Sequence, residues 1–207
     1  MISIQIIDSG IGNIGSVANM LKKLGYSNEI KKTPDKSDDF DFTLLPGVGS
    51  FDNGMKRLNE SGWTNYLKEL STHQNKKILG ICLGMQLLTE GSEEGNLEGL
   101  SLIPGEFYKF KSHQQEIKVP HMGWNYVNFL KDFKSFSQSY ENEIPRFYFV
   151  HSYKYFYKNN DFVYGITKYS DEFASVIKKN NVTGFQFHPE KSHSYGMRLF
   201  KNYLESD

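Results

Sequence analysis

The chain has 207 residues, 38% of them hydrophobic, and its 24 lysines and arginines balance 24 aspartates and glutamates. That length suits one domain with a substantial core, and zero net charge supplies no basic field for nucleic acid or a membrane surface. A lone cysteine excludes an internal disulfide and no apolar run approaches a membrane span, so the expected setting is cytoplasmic.

Ile2–Ile7 is short, Ile-rich and followed by glycines, as a buried first strand is. Ile14, Val17, Ala18, Leu21 and Leu24 then recur at helical spacing and stop at Gly25. Phe42–Leu45 predicts a second strand, closed by Pro46-Gly47-Val48-Gly49. Helices are expected over Phe51–Asn59 and Trp63–His73, then an apolar strand leading to Cys82 and a helix over Leu83–Glu90. Short strands alternating with helices imply βαβ units and an α/β fold with a mostly parallel sheet. After Gly99 the texture turns β-rich, over Leu100–Lys118, Trp124–Phe129, Phe147–Tyr157, Phe162–Thr167 and Phe173–Ile177, which predicts a mixed, partly antiparallel segment. Lys131–Glu143 is mostly polar and reads as a flexible loop. Thr183–Phe187 returns a core strand, and Ser194–Leu204 closes as a helix with Leu199, Phe200, Tyr203 and Leu204 on one face. Without a repeat or linker, one domain over residues 1–207 is expected.

The sole cysteine stands in Gly80-Ile81-Cys82-Leu83-Gly84, the strand-to-helix nucleophile elbow with sulfur in place of oxygen. A lone cysteine is by default a small hydrophobe. The flanking glycines, which give a strained turn room, shift the reading to a catalytic thiol, with thiolate favoured at a helix start. Such a thiol needs a base, and the base needs an orienting group. His73 and His113 lie in polar surroundings; His121, His151 and His193 are candidates. His188 is preferred, because it ends an apolar strand as His188-Pro189-Glu190, where Glu190 can take the second imidazole N–H. Backbone at Val48 and Gly49, with the amide of Leu83, offers oxyanion donors; the plain reading of that glycine turn is a turn. A rival assignment uses Gly10, Gly12 and Gly15 as a dinucleotide-binding G-x-G-x-x-G with Glu29 as the ribose acid. Against it, Glu29 does not end an apolar strand and the second half lacks repeated βαβ units.

Five blocks carry a resemblance: Pro46-Gly47-Val48-Gly49-Ser50-Phe51, Gly80–Gln86, Pro120–Asn125, Tyr148–Tyr153 and Gly184–Ser192. In this order they resemble class I (triad) glutamine amidotransferases, and among them the glutaminase subunits of imidazole glycerol phosphate synthase, over essentially the whole chain. The resemblance implies a three-layer, flavodoxin-like domain with helices on both faces of the sheet. It implies that Cys82 attacks L-glutamine, that His188 transfers protons, that Glu190 orients His188, and that Val48, Gly49 and Leu83 hold the oxyanion. Gly47, Gln86, Glu94, His151, Ser152 and Tyr153 match substrate-binding positions, and Asn13, His121, Trp124, Tyr148 and Lys191 match a partner-facing surface. The implied partner is a (β/α)8-barrel cyclase subunit in a heterodimer, with no cofactor, metal, nucleic acid or membrane involved. A chain with only Arg57, Arg146 and Arg198 fits a phosphorylated substrate held by the partner. The tail after His188 is also similar to paralogues that supply ammonia for amidination of nucleotide sugars. Gly15 stands where relatives often carry a larger residue.

Overall fold

In a computed structural model that describes residues 2–111, 117–133, 136, 140, 143–156 and 161–206, the first half alternates strands and helices. The elements are β1 (Ile4–Ile7), α1 (Ile14–Lys23), β2 (Asn28–Lys31), β3 (Phe42–Gly47), α2 (Phe51–Glu60), α3 (Trp63–Leu70), β4 (Lys77–Cys82) and α4 (Leu83–Leu87). The second half is strand-rich: β5 (Gly91–Ser92), β6 (Glu106–Lys109), β7 (His121–Tyr126), β8 (Asn128–Phe129), β9 (Arg146–His151), β10 (Tyr153–Phe156), β11 (Val163–Tyr169), β12 (Asp171–Lys179) and β13 (Val182–Phe185). A last helix, α5, spans His193–Glu205.

The central sheet runs β2-β1-β3-β4-β13, all parallel, and continues through β12, β10 and β6 in antiparallel pairings. β7 and β9 form a separate antiparallel ribbon, with His121 opposite His151. The parallel strands are apolar along their length because both faces are covered. Neighbouring residues of one strand serve opposite cores: Leu44 and Leu79 join α1 and α5, whereas Leu45 and Ile78 join α2 and α3. Three layers result.

Several boundaries differ from expectation for identifiable reasons. The helix expected to reach His73 ends at Leu70, where the hydroxyls of Ser71 and Thr72 donate to the carbonyls of Lys68 and Glu69. The helix expected to reach Glu90 ends at Leu87, and Thr89 Oγ1 donates to the Gln86 carbonyl at 2.7 Å. Asn28–Lys31 is a half-exposed edge strand, recruited by β1 without an apolar run of its own. Lys131–Glu143 is not simply polar loop: a 3₁₀ turn spans Lys131–Phe133, and Phe133, Phe136 and Tyr140 are buried in the core. Residues 134, 135, 137–139, 141 and 142 of that stretch, together with His113 and Tyr157, lie outside the described residues.

The dinucleotide reading fails on its third glycine. Gly10 and Gly12 are needed for the turn, at φ 77° and 133°, and a Cβ on Gly12 would lie 3.1 Å from the Pro46 carbonyl oxygen. Gly15 would meet nothing within 4 Å, so it serves no close helix–sheet packing. Glu29 is exposed on the edge strand and pairs with Lys31 at 3.2 Å. Among the described residues, no helix is long and apolar enough to cross a membrane.

Candidate active site

Cys82 ends β4 and begins α4 with φ 55° and ψ −109°, a strained conformation for a residue with a side chain. Its neighbours must be glycines for steric reasons. A Cβ on Gly84 would fall 1.7 Å from the Leu45 carbonyl oxygen, and one on Gly80 would fall 2.6 Å from the Gly84 carbonyl. The helix behind the thiol has five residues, Leu83–Leu87, rather than the eight expected. Two contacts to Sγ are the Val150 carbonyl oxygen at 3.7 Å and Gln186 Nε2 at 3.9 Å.

His188 follows β13, the strand beside β4, with Phe185 opposite Ile81. Its backbone is fixed twice: its N–H donates to the Tyr148 carbonyl at 2.9 Å, and its carbonyl accepts from Ser192 Oγ at 2.6 Å. Pro189 then opens a 3₁₀ turn that carries Glu190 back toward the ring. His188 Nδ1 and Glu190 Oε1 are 2.7 Å apart, with both side chains only 2% exposed. Burial alone would push the imidazole down, but its interaction with the nearby Cys82, reinforced by Glu190, holds it up at about 10. His188 Nε2 has no hydrogen bond of regular geometry: the thiol lies near enough to act on the ring's ionisation, while the Nε2–sulfur contact is not closed as a well-aligned bond.

Cys82 opens into a cavity of about 270 Å³. Val48, Gly49 and Leu83 line it beside the sulfur, and Gln86, Glu94, His151, Ser152 and Tyr153 complete it together with Pro120 and Val150. Glu94 is the only carboxylate in that lining, and its Oε2 accepts the Phe51 N–H of α2 at 2.8 Å. Gly47 is not in the wall. It pairs with Cys82 in the sheet, where a Cβ would press on Leu83 and the Gly84 nitrogen at 3.1 Å. The site thus draws on the carboxyl ends of the parallel strands β3 and β4 and on the end of β9 in the antiparallel ribbon.

His121 is not on the surface. It is 3% exposed, and its Nδ1 lies 3.0 Å from His151 Nε2. Burial pushes His121 down to about 4 and His151 to about 3, so both rings are neutral. One proton arrangement then satisfies them. His151 Nδ1 donates to the Tyr153 carbonyl at 2.7 Å, which leaves its Nε2 to accept from His121 Nδ1. His121 Nε2 in turn accepts from Asn125 Nδ2 at 3.1 Å. Alternation along β7 turns the even residues outward: Met122 is 62%, Trp124 42% and Tyr126 57% exposed. Trp124 stacks on His193, and Lys191 lies over Tyr148, whose ring meets Trp124 edge-on. Asn13, at the start of α1, is exposed. His73, the other polar-set histidine, is exposed after α3.

The sequence reading missed Gln186. A polar residue between Phe185 and Phe187 on a strand buried throughout was the available signal.

The glutamine amidotransferase class-I family model matches residues 5–206. The chain is 45% identical to imidazole glycerol phosphate synthase subunit HisH 2 of Methanococcus maripaludis, covering 98% of each chain. It is 43% identical to the subunit HisH 2 of Pseudomonas aeruginosa, again over 98% of each. Among solved structures, PurLQS from Thermotoga maritima superposes with a TM-score of 0.74 at 17% identity, covering 99% of both chains, which bears on the fold alone.

Proposed function

The chain belongs to the class-I glutamine amidotransferases, and from that premise we infer that it is the glutaminase subunit of an imidazole glycerol phosphate synthase. Full-length identity of 45% to a subunit of that name supports the assignment. The observation that carries the chemistry is the meeting of a strained thiol, a buried imidazole held charged at about 10 and a carboxylate 2.7 Å from that imidazole.

In this reading the Cys82 thiolate attacks the side-chain amide carbon of L-glutamine, and the carbonyl electrons move onto oxygen. Amides of Leu83, Val48 and Gly49 receive that oxyanion. His188 gives its proton to the departing nitrogen, the C–N bond breaks, and ammonia leaves a γ-glutamyl thioester. His188 then takes a proton from water, whose oxygen attacks the thioester; glutamate departs and the sulfur is restored. Glu190 keeps the imidazole oriented and offsets its charge. Gln86 and Glu94 hold the amino-acid head. Ammonia passes to a (β/α)8-barrel cyclase docked on the face of Met122, Trp124, Tyr126, Tyr148 and Lys191, with Asn13 at the start of α1 as a further contact.

The test is glutamate release by the chain mixed with a cyclase subunit. Cys82→Ala is expected to lower it by about 10⁶-fold, and turnover that survives this substitution refutes the assignment. Rescue of a histidine auxotroph by the co-expressed pair tests the acceptor. Failure to associate with that cyclase, with glutaminase intact, favours nucleotide-sugar amidination.

A further inference from the structure

Gln186 is fully buried on a strand end whose neighbours, Phe185 and Phe187, are core aromatics. An amide in such a place costs several kcal/mol unless its groups are bonded. Its partners are both in the active site: Gln86 Nε2 donates to Gln186 Oε1 at 3.3 Å, and Gln186 Nε2 points to Cys82 Sγ at 3.9 Å. Backbone anchoring, through Gln186 N–H to the Ser175 carbonyl at 3.0 Å, leaves the amide little freedom to turn away. The direction of the chain is chemically sensible. With Gln86 Nε2 donating to Gln186 Oε1, the N–H end of the Gln186 amide is presented to an atom that, as thiolate, only accepts.

We propose that Gln186 is a further working residue of the glutaminase site. Its amide N–H stabilises the Cys82 thiolate, while its carbonyl holds Gln86 against the cavity, so one side chain ties the nucleophile to the wall that grips substrate. This deepens the glutaminase reading and rests on it for the substrate. The opposing contact explains why the donor matters: the Val150 carbonyl, 3.7 Å from the sulfur, can accept only from the protonated thiol. Without Gln186, the local balance moves toward S–H.

Because Cys82 is the only cysteine, alkylation of the whole chain by iodoacetamide reports on that sulfur alone. The rate is measured against pH for the native chain, Gln186→Met and Gln186→Glu, with Phe185→Leu as a core variant of the preceding strand residue that alters no polar group. A hydrogen bond to a charged group corresponds to roughly one pH unit in the titration of its acceptor. Gln186→Met should raise the alkylation midpoint by about that much, and Gln186→Glu further, because it sets a carboxylate beside the thiolate. Phe185→Leu should lower the melting temperature and leave the midpoint in place. Midpoints of both Gln186 variants coinciding with the native chain, or moving equally in Phe185→Leu, overturn the proposal; so does failure of both Gln186 variants to fold, which would make the amide a packing element. Shifted midpoints in a chain that hydrolyses no glutamine uphold the sulfur contact and refute the substrate, whereas unshifted midpoints in an active glutaminase refute Gln186 alone.

Discussion

Two helical glycines should respond oppositely to the same added methyl group. At Gly84 a Cβ would sit 1.7 Å from the Leu45 carbonyl oxygen, a backbone atom of the central sheet. Ordinary non-bonded contact lies near 3.5 Å, so β3 and α4 must part by about 1.5–2 Å. Overpacking of that kind costs about 3 kcal/mol or more. The displacement falls between the strand that leads into Val48 and Gly49 and the helix that begins after Cys82, and a shift of about 1 Å there costs about 10²-fold in rate. Gly15, exposed on α1 with nothing within 4 Å, should accept alanine and gain up to about 1 kcal/mol from helix propensity. Thermal melts and glutaminase kcat/KM of Gly84→Ala and Gly15→Ala provide the comparison. If both variants melt and turn over alike, the argument that close backbone approach dictates the elbow glycines is wrong.

The His188 imidazole titrates at about 10 in the fold against about 6.5 when unfolded. Its contribution to stability is therefore fully present below about 6.5 and lost as pH rises through about 10. Glu190→Gln should bring the alkaline limbs of both melting temperature and glutaminase rate to lower pH. The histidine pair acts at the other end of the scale: His121 and His151, pushed down to about 4 and about 3, bind protons when unfolded but not when folded. Stability should thus fall by up to roughly 1.4 kcal/mol per histidine for each unit of acidification below about 6.5, as far as about pH 4. Melting curves taken down that range should lose part of the slope in His121→Phe. On the outer face of β7, Met122→Glu replaces a 62% exposed side chain and should leave the melting temperature within a degree or two. Under the proposed docking it should weaken binding of a cyclase subunit by at least tenfold in calorimetry, as loss of an interface anchor does.

The parallel half of the fold was legible because its strands are apolar throughout and its helices carry a clear 3.6-residue spacing. β2 was not, since an edge strand needs only a neighbour's free backbone, and Asn28-Glu29-Ile30-Lys31 has no pattern of its own. Phe133, Phe136 and Tyr140 were hidden by the polar residues between them, although their spacing of three and four was visible. Of the site, the Gly-x-Cys-x-Gly and His-Pro-Glu segments were readable because backbone sterics leave marks in composition. His121 was placed on the partner-facing surface by block resemblance, where strand alternation puts it inside with the odd residues of β7. Gln186 was passed over because a single amide in an aromatic strand has no motif, only an unmet need for partners.

Sulfur and imidazole are supplied by adjacent strands in one fixed alignment, Ile81 beside Phe185. A slip of one residue between those strands would turn the side chains of one of them over to the other face. Chemistry placed at such a seam has no half-assembled version, so a chain whose middle has not closed has no means of freeing ammonia where nothing waits to use it.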